Sequence, residues 1–296
     1  MRADYLAGLD GMIASGLSGL GRAFRRARAQ YVRSRQADDG GFCGRVGGSD
    51  IYYTDFALRA LLAIDPDSDA LERAASYLES LTGPPRNTVE CFSRLNSARI
   101  LRAVGFEVPD QASRCRPDID IRHAGTYDLF LAVLCYHMLG EPFPAAEQAV
   151  RRVRSCETPQ GGFGQTPEGG CQTSATAAAV GLLAMTGELT TRDAGRVSDF
   201  LRTMQTAAGG FVAHAAISEP DLLSTFTALV TLSTLDGMDK ANLPAIGRFV
   251  RSMAAPDGGF HASRYDTETD VEYTYYGLGT TGLLNQFVMH VRGGAD

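Results

Sequence analysis

Four acidic residues stand at or near the start of apolar runs, where carboxylate chemistry could occur. Asp221 and Asp270 each open such a run, Glu272 follows two residues later, and Asp50 opens a matching run. Converging carboxylates could bind Mg²⁺ or Zn²⁺ in an oxygen-rich site, or one of them could be held protonated. Asp221, Asp270 and Glu272 are therefore candidate catalytic residues. The alternative is that the aspartates only cap helices, a position that Asp favours.

Aromatic residues accompany these acids. Aromatic rings bury hydrocarbon and stabilise nearby cationic charge, so rings that line a cavity would favour an apolar ligand. At helical spacing they could equally form ordinary core. The candidate binding residues among them are Tyr52, Tyr53, Tyr127, Phe226, Tyr273 and Tyr276.

Basic side chains supply candidates for contact with phosphate. Arg45 and His214 lie in polar stretches between apolar runs, and His123 precedes the run that contains Tyr127. His123 could contact a diphosphate or act as an acid or base, although a loop histidine without a role is the alternative. The six cysteines form no Cys-x-x-Cys pair and have no neighbouring base, so nucleophilic catalysis has no support.

A repeat must position these residues. The tripeptide Gly-Gly-Phe begins at Gly40, Gly161, Gly209 and Gly258, and the last three copies recur with a period of about 48 residues. Each copy follows an apolar-basic segment and precedes an Ala- and Leu-rich run with helical spacing. The unit is predicted to be helix, glycine turn, loop, helix, with positive φ at the glycine ending the first helix. Such units must stack on one another to bury their apolar faces.

The interval between Gly40 and Gly161 should hold degenerate units. Helices are predicted at Asn87–Val104 and Ala124–Gly140, because both follow turn-rich stretches. These additions predict an all-α fold of five to six helical hairpins.

Composition narrows the function classes. The 296 residues carry a net charge of −6, which argues against non-specific nucleic-acid binding. No linker interrupts the repeats, so residues 1–296 are predicted to form a single domain. Scattered cysteines and no visible leader predict a cytoplasmic protein, and no apolar run reaches a membrane span. The basic stretch Leu17–Arg35 could lie on a membrane surface, or form the first helix of the first repeat.

The repeat resembles the prenyltransferase and squalene-cyclase repeat. That motif reads Gln, three residues, Gly, any residue, aromatic, and Gln36–Phe42 and Gln205–Phe211 match it with Phe as the aromatic residue. Glu157–Phe163 and Ala254–Phe260 match without the Gln. The resemblance runs from about Ala29 to Phe287. It implies an α/α toroid, in which an inner ring of helices surrounds an apolar cavity.

Within that superfamily the chain is most similar to protein prenyltransferase β subunits, through Gly209–Leu232 and Gly258–Gly282. In that family an Asp-x-Cys and a later His bind catalytic zinc. Here the Asp position is Asp221, the Cys position is Leu223 and the His position is Tyr273. Leucine cannot bind zinc and neutral tyrosine binds it poorly, so the usual zinc site is absent.

The same resemblance implies an isoprenoid or other lipid as ligand and a helical partner subunit. The phosphate-binding Arg and Lys of the family correspond to His214 and Ile217, and Arg45 is the best match to a Gly-Arg phosphate contact in another repeat.

Prenyl transfer from a prenyl diphosphate is therefore the preferred reaction, without zinc-dependent cysteine prenylation. Two alternatives stay open. Cyclases of the same fold protonate an alkene with Asp-x-Asp-Asp, of which Asp118 and Asp120 retain two carboxylates. The third interpretation is a non-catalytic isoprenoid- or lipid-binding subunit.

Overall fold

A computed structural model describes residues 5–111 and 114–293 of the chain, without the side chains of 291–293. Within them the regular secondary structure is almost all α-helix, as predicted. A short 3-10 helix spans Met238–Lys240, and two short antiparallel strands, β1 (Phe260–His261) and β2 (Thr269–Asp270), precede the last helix. The α-helices are α1 (Tyr5–Ser18), α2 (Arg22–Ser34), α3 (Ile51–Ile64), α4 (Ala70–Ser80), α5 (Thr88–Ala103), α6 (Thr126–Met138), α7 (Ala146–Ser155), α8 (Thr173–Thr186), α9 (Thr191–Met204), α10 (Leu222–Thr234), α11 (Leu243–Ser252) and α12 (Val271–Gly293).

The helices after α1 are of two kinds. Helices α3, α5, α6, α8, α10 and α12 are buried on several sides, and we call them core helices. Helices α2, α4, α7, α9 and α11 bury mainly one stripe, as amphipathic helices do, and we call them peripheral helices. Six core and five peripheral helices in the described residues agree with five to six predicted hairpins. The degenerate units are confirmed as α5 and α6, and the stretch Leu17–Arg35 contains the first peripheral helix, α2.

The described residues fall into two compact units. Unit 1 comprises residues 5 and 118–252, and in it α8 packs between α6 and α10. Unit 2 comprises residues 6–111, 114–117 and 253–293, and in it α3 packs between α5 and α12. The single domain expected from the uninterrupted repeat stays a prediction.

The Gly-Gly-Phe copies form narrow reverse turns. The first glycine of each copy has positive φ as predicted, for example 90° at Gly40 and 101° at Gly258. One detail of the prediction is wrong, because the glycines do not end the peripheral helices. Those helices stop earlier, and the chain then makes a small hairpin closed by β-bridges such as Gln36↔Phe42. Several residues of the hairpin separate the end of each peripheral helix from the first glycine, as between Ser34 and Gly40.

Each turn rests on a peripheral helix of another repeat, and this contact explains the glycines. A Cβ added to Gly161 would lie 2.7 Å from the carbonyl oxygen of Arg196 in α9, and at Gly258 it would lie 2.6 Å from that of Ala27 in α2. The second glycine of each pair instead meets a ring of the same helix, as Gly162 meets Phe200. Only glycine permits so close an approach.

A buried threonine ties each turn to its core helix, a feature that the sequence analysis missed. Thr225 Oγ1 accepts a hydrogen bond from the Phe211 N–H at 3.0 Å and donates one to the Asp221 carbonyl at 2.7 Å. The same pair of bonds recurs in the other three copies, made by Thr54, Thr176 and Thr274. The turn and the start of the core helix are therefore fixed together.

We predict that Thr225→Val lowers the free energy of unfolding by about 1–3 kcal/mol, because it leaves the buried Phe211 N–H without an acceptor. The matched control is Thr227→Val, since the Thr227 hydroxyl bonds only its own helix and its loss should cost no more than about 0.5 kcal/mol. Urea unfolding of both variants measures the difference. Equal losses would show that the turn does not depend on Thr225.

Candidate functional site

The first turns of α3 and α12 bring several predicted residues together in unit 2. Asp270 begins α12 by accepting a hydrogen bond from the Tyr273 N–H at 2.8 Å, and Asp50 accepts one from the Tyr52 N–H at 2.7 Å. In unit 1 Asp221 accepts one from the Ser224 N–H at 2.7 Å. All three aspartates therefore cap the starts of their helices.

Arg45 joins the loops that lead into α3 and α12. Its guanidinium donates to both carboxylate oxygens of Asp266 at 3.0 and 2.6 Å, and its Nε donates to Asp270 Oδ2 at 2.7 Å. The Asp270 side chain is 4% exposed, so this ion pair compensates a buried charge. We call Arg45, Asp266 and Asp270 the arginine clamp.

The clamp favours the charged forms of Asp266 and Arg45. Burial alone would favour the neutral acid, but hydrogen bonds from Arg45 hold the pKa of Asp266 below its ordinary value. Burial likewise works against the Arg45 charge, yet both carboxylates together raise the pKa of Arg45. Sequence reasoning missed Asp266, because it lies in a loop with no motif and only the fold brings it to Arg45.

Glu272 lies beside the clamp but bonds to phenols. Its Oε1 accepts hydrogen bonds from the Tyr52 hydroxyl at 2.8 Å and the Tyr276 hydroxyl at 3.2 Å. Burial raises the pKa of Glu272, and the negative charge of Asp270 raises it further, although the Tyr52 bond acts in the opposite direction. Glu272 is thus a carboxyl group that gains a proton more readily than an exposed glutamate does.

The rings around Glu272 form a continuous aromatic cluster on α3 and α12. Tyr52 meets Phe56 edge-on with centroids 5.0 Å apart, and Phe56 meets Tyr276 at 5.4 Å. Tyr273 lies 5.8 Å from Tyr276, and its ring faces the Arg45 guanidinium at 5.6 Å. We call this set, completed by Tyr53 and Tyr275, the aromatic wall.

Burial also marks Tyr53 as part of this site. Desolvation raises the pKa of the Tyr53 phenol, and the nearby charges of Glu272, Asp270 and Asp50 raise it further. Its ring lies against Gly44, where an added Cβ would overlap the ring, so the clamp loop approaches this wall closely.

The remaining predicted residues lie in unit 1. Phe226 is buried in α10, and His214 is half-buried in the loop before that helix. Tyr127 lies in the first turn of α6 and is 41% exposed. Burial raises the pKa of Asp221, while the N–H and hydroxyl of Ser224 bond to its carboxylate.

Asp118 and Asp120 are exposed, in the loop before α6. Asp120 Oδ2 lies 2.8 Å from His123 Nδ1, and its Oδ1 accepts a hydrogen bond from the Arg122 N–H. The hydrogen bond with His123 lowers the pKa of Asp120. These properties are opposite to those of a buried acid that keeps its proton until it protonates an alkene.

Within residues 5–111 and 114–293, no group of three or more His, Cys, Asp or Glu side chains could hold a metal ion. At the start of α12 lie two carboxylates, Asp270 and Glu272, and the Asp270 carboxylate is already bound by Arg45.

Comparison with known proteins identifies the family to which this fold belongs. The family model described as the prenyltransferase alpha-alpha toroid domain matches residues 13–212 and 182–293. The chain belongs to this family. The predicted fold class, an all-α α/α toroid, is thereby confirmed. The resemblance to the prenyltransferase and squalene-cyclase repeat superfamily is confirmed as well.

Similar proteins include protein farnesyltransferase subunits beta from Arabidopsis thaliana and Pisum sativum. The first is 31% identical over 141 residues, 47% of this chain and 29% of that protein. The second is 28% identical over 164 residues, 52% of this chain and 39% of that protein. The chain thus matches less than half of either relative's length.

Solved structures of two enzyme classes share the toroid. Protein geranylgeranyltransferase-I from Candida albicans, complexed with GGPP, has a TM-score of 0.67 at 12% identity, covering 88% of this chain and 91% of that chain. The type II terpene cyclase MstE from Scytonema has a TM-score of 0.59 at 12% identity, covering 92% and 98%. At these identities the likeness shows the fold alone. No helix in the described part of this chain is both long and apolar enough to cross a bilayer.

We predict that Arg45→Met lowers the free energy of unfolding by about 1–3 kcal/mol, because it leaves the buried Asp270 carboxylate without its cation. The loss should shrink when Asp270→Asn is present, and should shrink less with Asp266→Asn, whose side chain is more exposed. Arg151→Met is the control, since its pair with Glu147 is exposed and should contribute less than about 0.5 kcal/mol. Additive losses in the Asp270→Asn background would contradict the coupling.

We predict that Glu272→Gln is more stable than the parent protein at pH 7. A raised pKa means that the folded state binds more protons than the unfolded state between the ordinary and the raised value, so the parent loses stability as pH rises through that window. The neutral amide avoids this loss and can still accept both phenol bonds. The difference in Tm should diminish toward about pH 4, near the ordinary Glu pKa. A pH-independent difference would show that proton binding is not its cause.

Proposed function

We propose that the protein binds a prenyl diphosphate and transfers its prenyl group to an acceptor. The observation that supports this proposal most directly is the position of the Glu272 carboxyl group. It can accept a proton, and it is hydrogen-bonded to the aromatic wall of α3 and α12. The rings would bury the isoprenoid chain and stabilise the positive charge that develops on an allylic carbon. Membership of the prenyltransferase toroid family supports the ligand class.

In this reaction the bond between the allylic carbon and the diphosphate oxygen breaks, and the diphosphate leaves with the electron pair. The acceptor's nucleophilic atom forms the new bond to that carbon, and its proton passes to a Glu272 carboxylate oxygen. Tyr52 and Tyr276 hold that carboxylate through their hydroxyls and so fix where the proton is received. Asp270 is paired with Arg45, and its nearby negative charge favours proton uptake by Glu272.

Phosphate contact is proposed for Arg45, with His214 as a second candidate. Arg45 already donates to two carboxylates, so a phosphate oxygen would have to replace one of them. Asp266 is the better candidate for release, because its side chain is 22% exposed while that of Asp270 is 4% exposed. Exchange at Asp266 would leave the buried charge of Asp270 paired.

A type II cyclisation is the second candidate, and the raised pKa of Glu272 is the observation that favours it. The neutral carboxyl would protonate an alkene carbon of the isoprenoid and the diphosphate would stay attached. Asp118 and Asp120 are exposed and suit this role less well. A non-catalytic isoprenoid-binding subunit, a helical partner chain and a cytoplasmic location also remain proposals, the partner supported by relatives named as subunits.

The deciding experiment incubates the full chain with radiolabelled farnesyl diphosphate and candidate acceptors, with and without Mg²⁺, and separates the products. Release of diphosphate with a prenylated acceptor supports transfer, and Glu272→Gln should slow it about 10²–10⁴-fold. The control Glu107→Gln alters an exposed loop residue and should leave the rate unchanged.

Other outcomes decide among the alternatives. A cyclised product that retains its diphosphate would replace transfer by cyclisation. Tight binding without any product would leave a binding subunit, and full activity in Glu272→Gln would remove Glu272 from the mechanism.

A further inference from the structure

Helix α2 and the turn before it carry a run of positive charge that the site described above does not use. Residues 11–37 contain six arginines and no Asp or Glu, although the whole chain has a net charge of −6. Three of the six have partners in unit 2. Arg33 pairs with Asp65, and Arg35 donates to a loop carbonyl. The Arg28 guanidinium lies over two aromatic rings.

The other three, Arg22, Arg25 and Arg26, lie in the first two turns of α2. Their spacing of i, i+3 and i+4 places them on one side of the helix. Arg22 and Arg26 are exposed, and Arg25 is half-buried. Among the residues that the structure describes, none of the three forms an ion pair, and Asp10, the acid that precedes them in the chain, pairs with Arg99. The positive end of the α2 dipole adds to their charge, because the first turn contains no acid and no side chain caps it.

Exposed apolar side chains lie beside this charge. Val288 and Met289, near the end of α12, are 41% and 47% exposed. The turn between α1 and α2 contacts this end, since a Cβ added to Gly19 would lie 2.9 Å from Met289 Cε. Gly19 precedes Arg22 by only three residues, so apolar and basic side chains share one surface of unit 2. We call this set the basic-apolar patch, which comprises Arg22, Arg25, Arg26, Val288 and Met289.

Helix α1 fixes the two halves of the patch together. An added Cβ on Gly282 of α12 would lie 2.6 Å from a carbonyl oxygen of α1, and Asn285 donates to the Gly16 carbonyl at 3.2 Å. The exposed residues Ser15 and Ser18 of α1 are small and uncharged. A flat partner can therefore approach this side of the protein without displacing a long side chain.

A bilayer that contains anionic phospholipid matches both kinds of side chain. Guanidinium groups bind phosphate through paired N–H donors, and apolar side chains enter the boundary between headgroups and acyl chains. Such a surface repels the negative charge of the rest of the chain, so the protein would turn this patch toward it. An acidic polypeptide would satisfy the arginines but would offer no apolar phase to Val288 and Met289.

We propose that the basic-apolar patch binds the surface of bilayers that contain anionic phospholipid. Arg22, Arg25 and Arg26 contact headgroup phosphates, and Val288 and Met289 enter the outer acyl region. The binding involves no prenyl diphosphate, so it holds or fails independently of the proposed function.

The test is flotation of the full chain with phosphatidylcholine vesicles, with and without about one quarter phosphatidylserine. The parent should bind the phosphatidylserine vesicles, and the binding should weaken as the ionic strength rises to about 0.5 M. The combined variant Arg22→Gln, Arg25→Gln and Arg26→Gln should bind about 10–100-fold more weakly, because each arginine adds to the attraction by the anionic surface. Should this variant fail to fold, Arg22→Gln with Arg26→Gln alters only exposed side chains and should still weaken binding.

The matched control combines Arg192→Gln, Arg202→Gln and Arg248→Gln. It removes the same charge from exposed positions of α9 and α11, and it should leave vesicle binding unchanged.

The apolar half of the patch has a variant of its own. Val288→Ser with Met289→Ser should weaken binding by about tenfold at unchanged charge, because less hydrocarbon enters the bilayer. Its control is Val46→Ser, which alters a valine that is 86% exposed and should have no effect. Val46 follows Arg45, which bonds to Asp270 at the opposite end of α12.

Failure of the parent to bind phosphatidylserine vesicles would overturn the inference, and so would equal binding to both kinds of vesicle. Equal losses in the α2 variant and its matched control would show that net charge, and not this patch, governs binding. Binding of polyglutamate without binding of vesicles would assign the patch to an acidic protein instead of a bilayer.

Discussion

The contact between a glycine turn and the backbone of a peripheral helix from another repeat is the constraint on which each Gly-Gly-Phe repeat depends. At Gly161 and Gly258 a carbonyl oxygen of that helix occupies the space that any Cβ would need. The turn therefore fixes the distance between successive repeats. The following phenylalanine N–H is thereby brought to the buried threonine of the core helix, so the loop and the helix start are positioned together.

The start of α12 in unit 2 brings two carboxylates close together, and Arg45 pairs with one of them. Asp270 and Glu272 lie in one helical turn, and two buried carboxylates of like charge would destabilise each other. Arg45 neutralises Asp270 and recruits Asp266, while Glu272 is left to the phenols of Tyr52 and Tyr276. Asp270 is thus paired with a cation, and its neighbour Glu272 has an increased affinity for a proton.

The resemblance to protein prenyltransferase β subunits implies a zinc site whose ligands this chain is expected to lack. Tyr273, expected at the position of the family's histidine, faces Arg45 with its ring. Leu223, expected at the position of the family's cysteine, has an apolar side chain that cannot bind zinc. These expected replacements support the proposal of a reaction that relies on a carboxyl group and aromatic rings.

The sequence by itself determined the repeat, the helical hairpins, the positive φ of the glycines and the capping aspartates. These features follow from local spacing and backbone preference, so neighbouring residues are enough to indicate them. Only the tertiary structure decided that Arg45 meets Asp266 and Asp270, that Tyr52 bonds to Glu272, and that Asp10 reaches Arg99. These partners are far apart along the chain, and an ion pair or a phenol bond leaves no periodic trace in either segment.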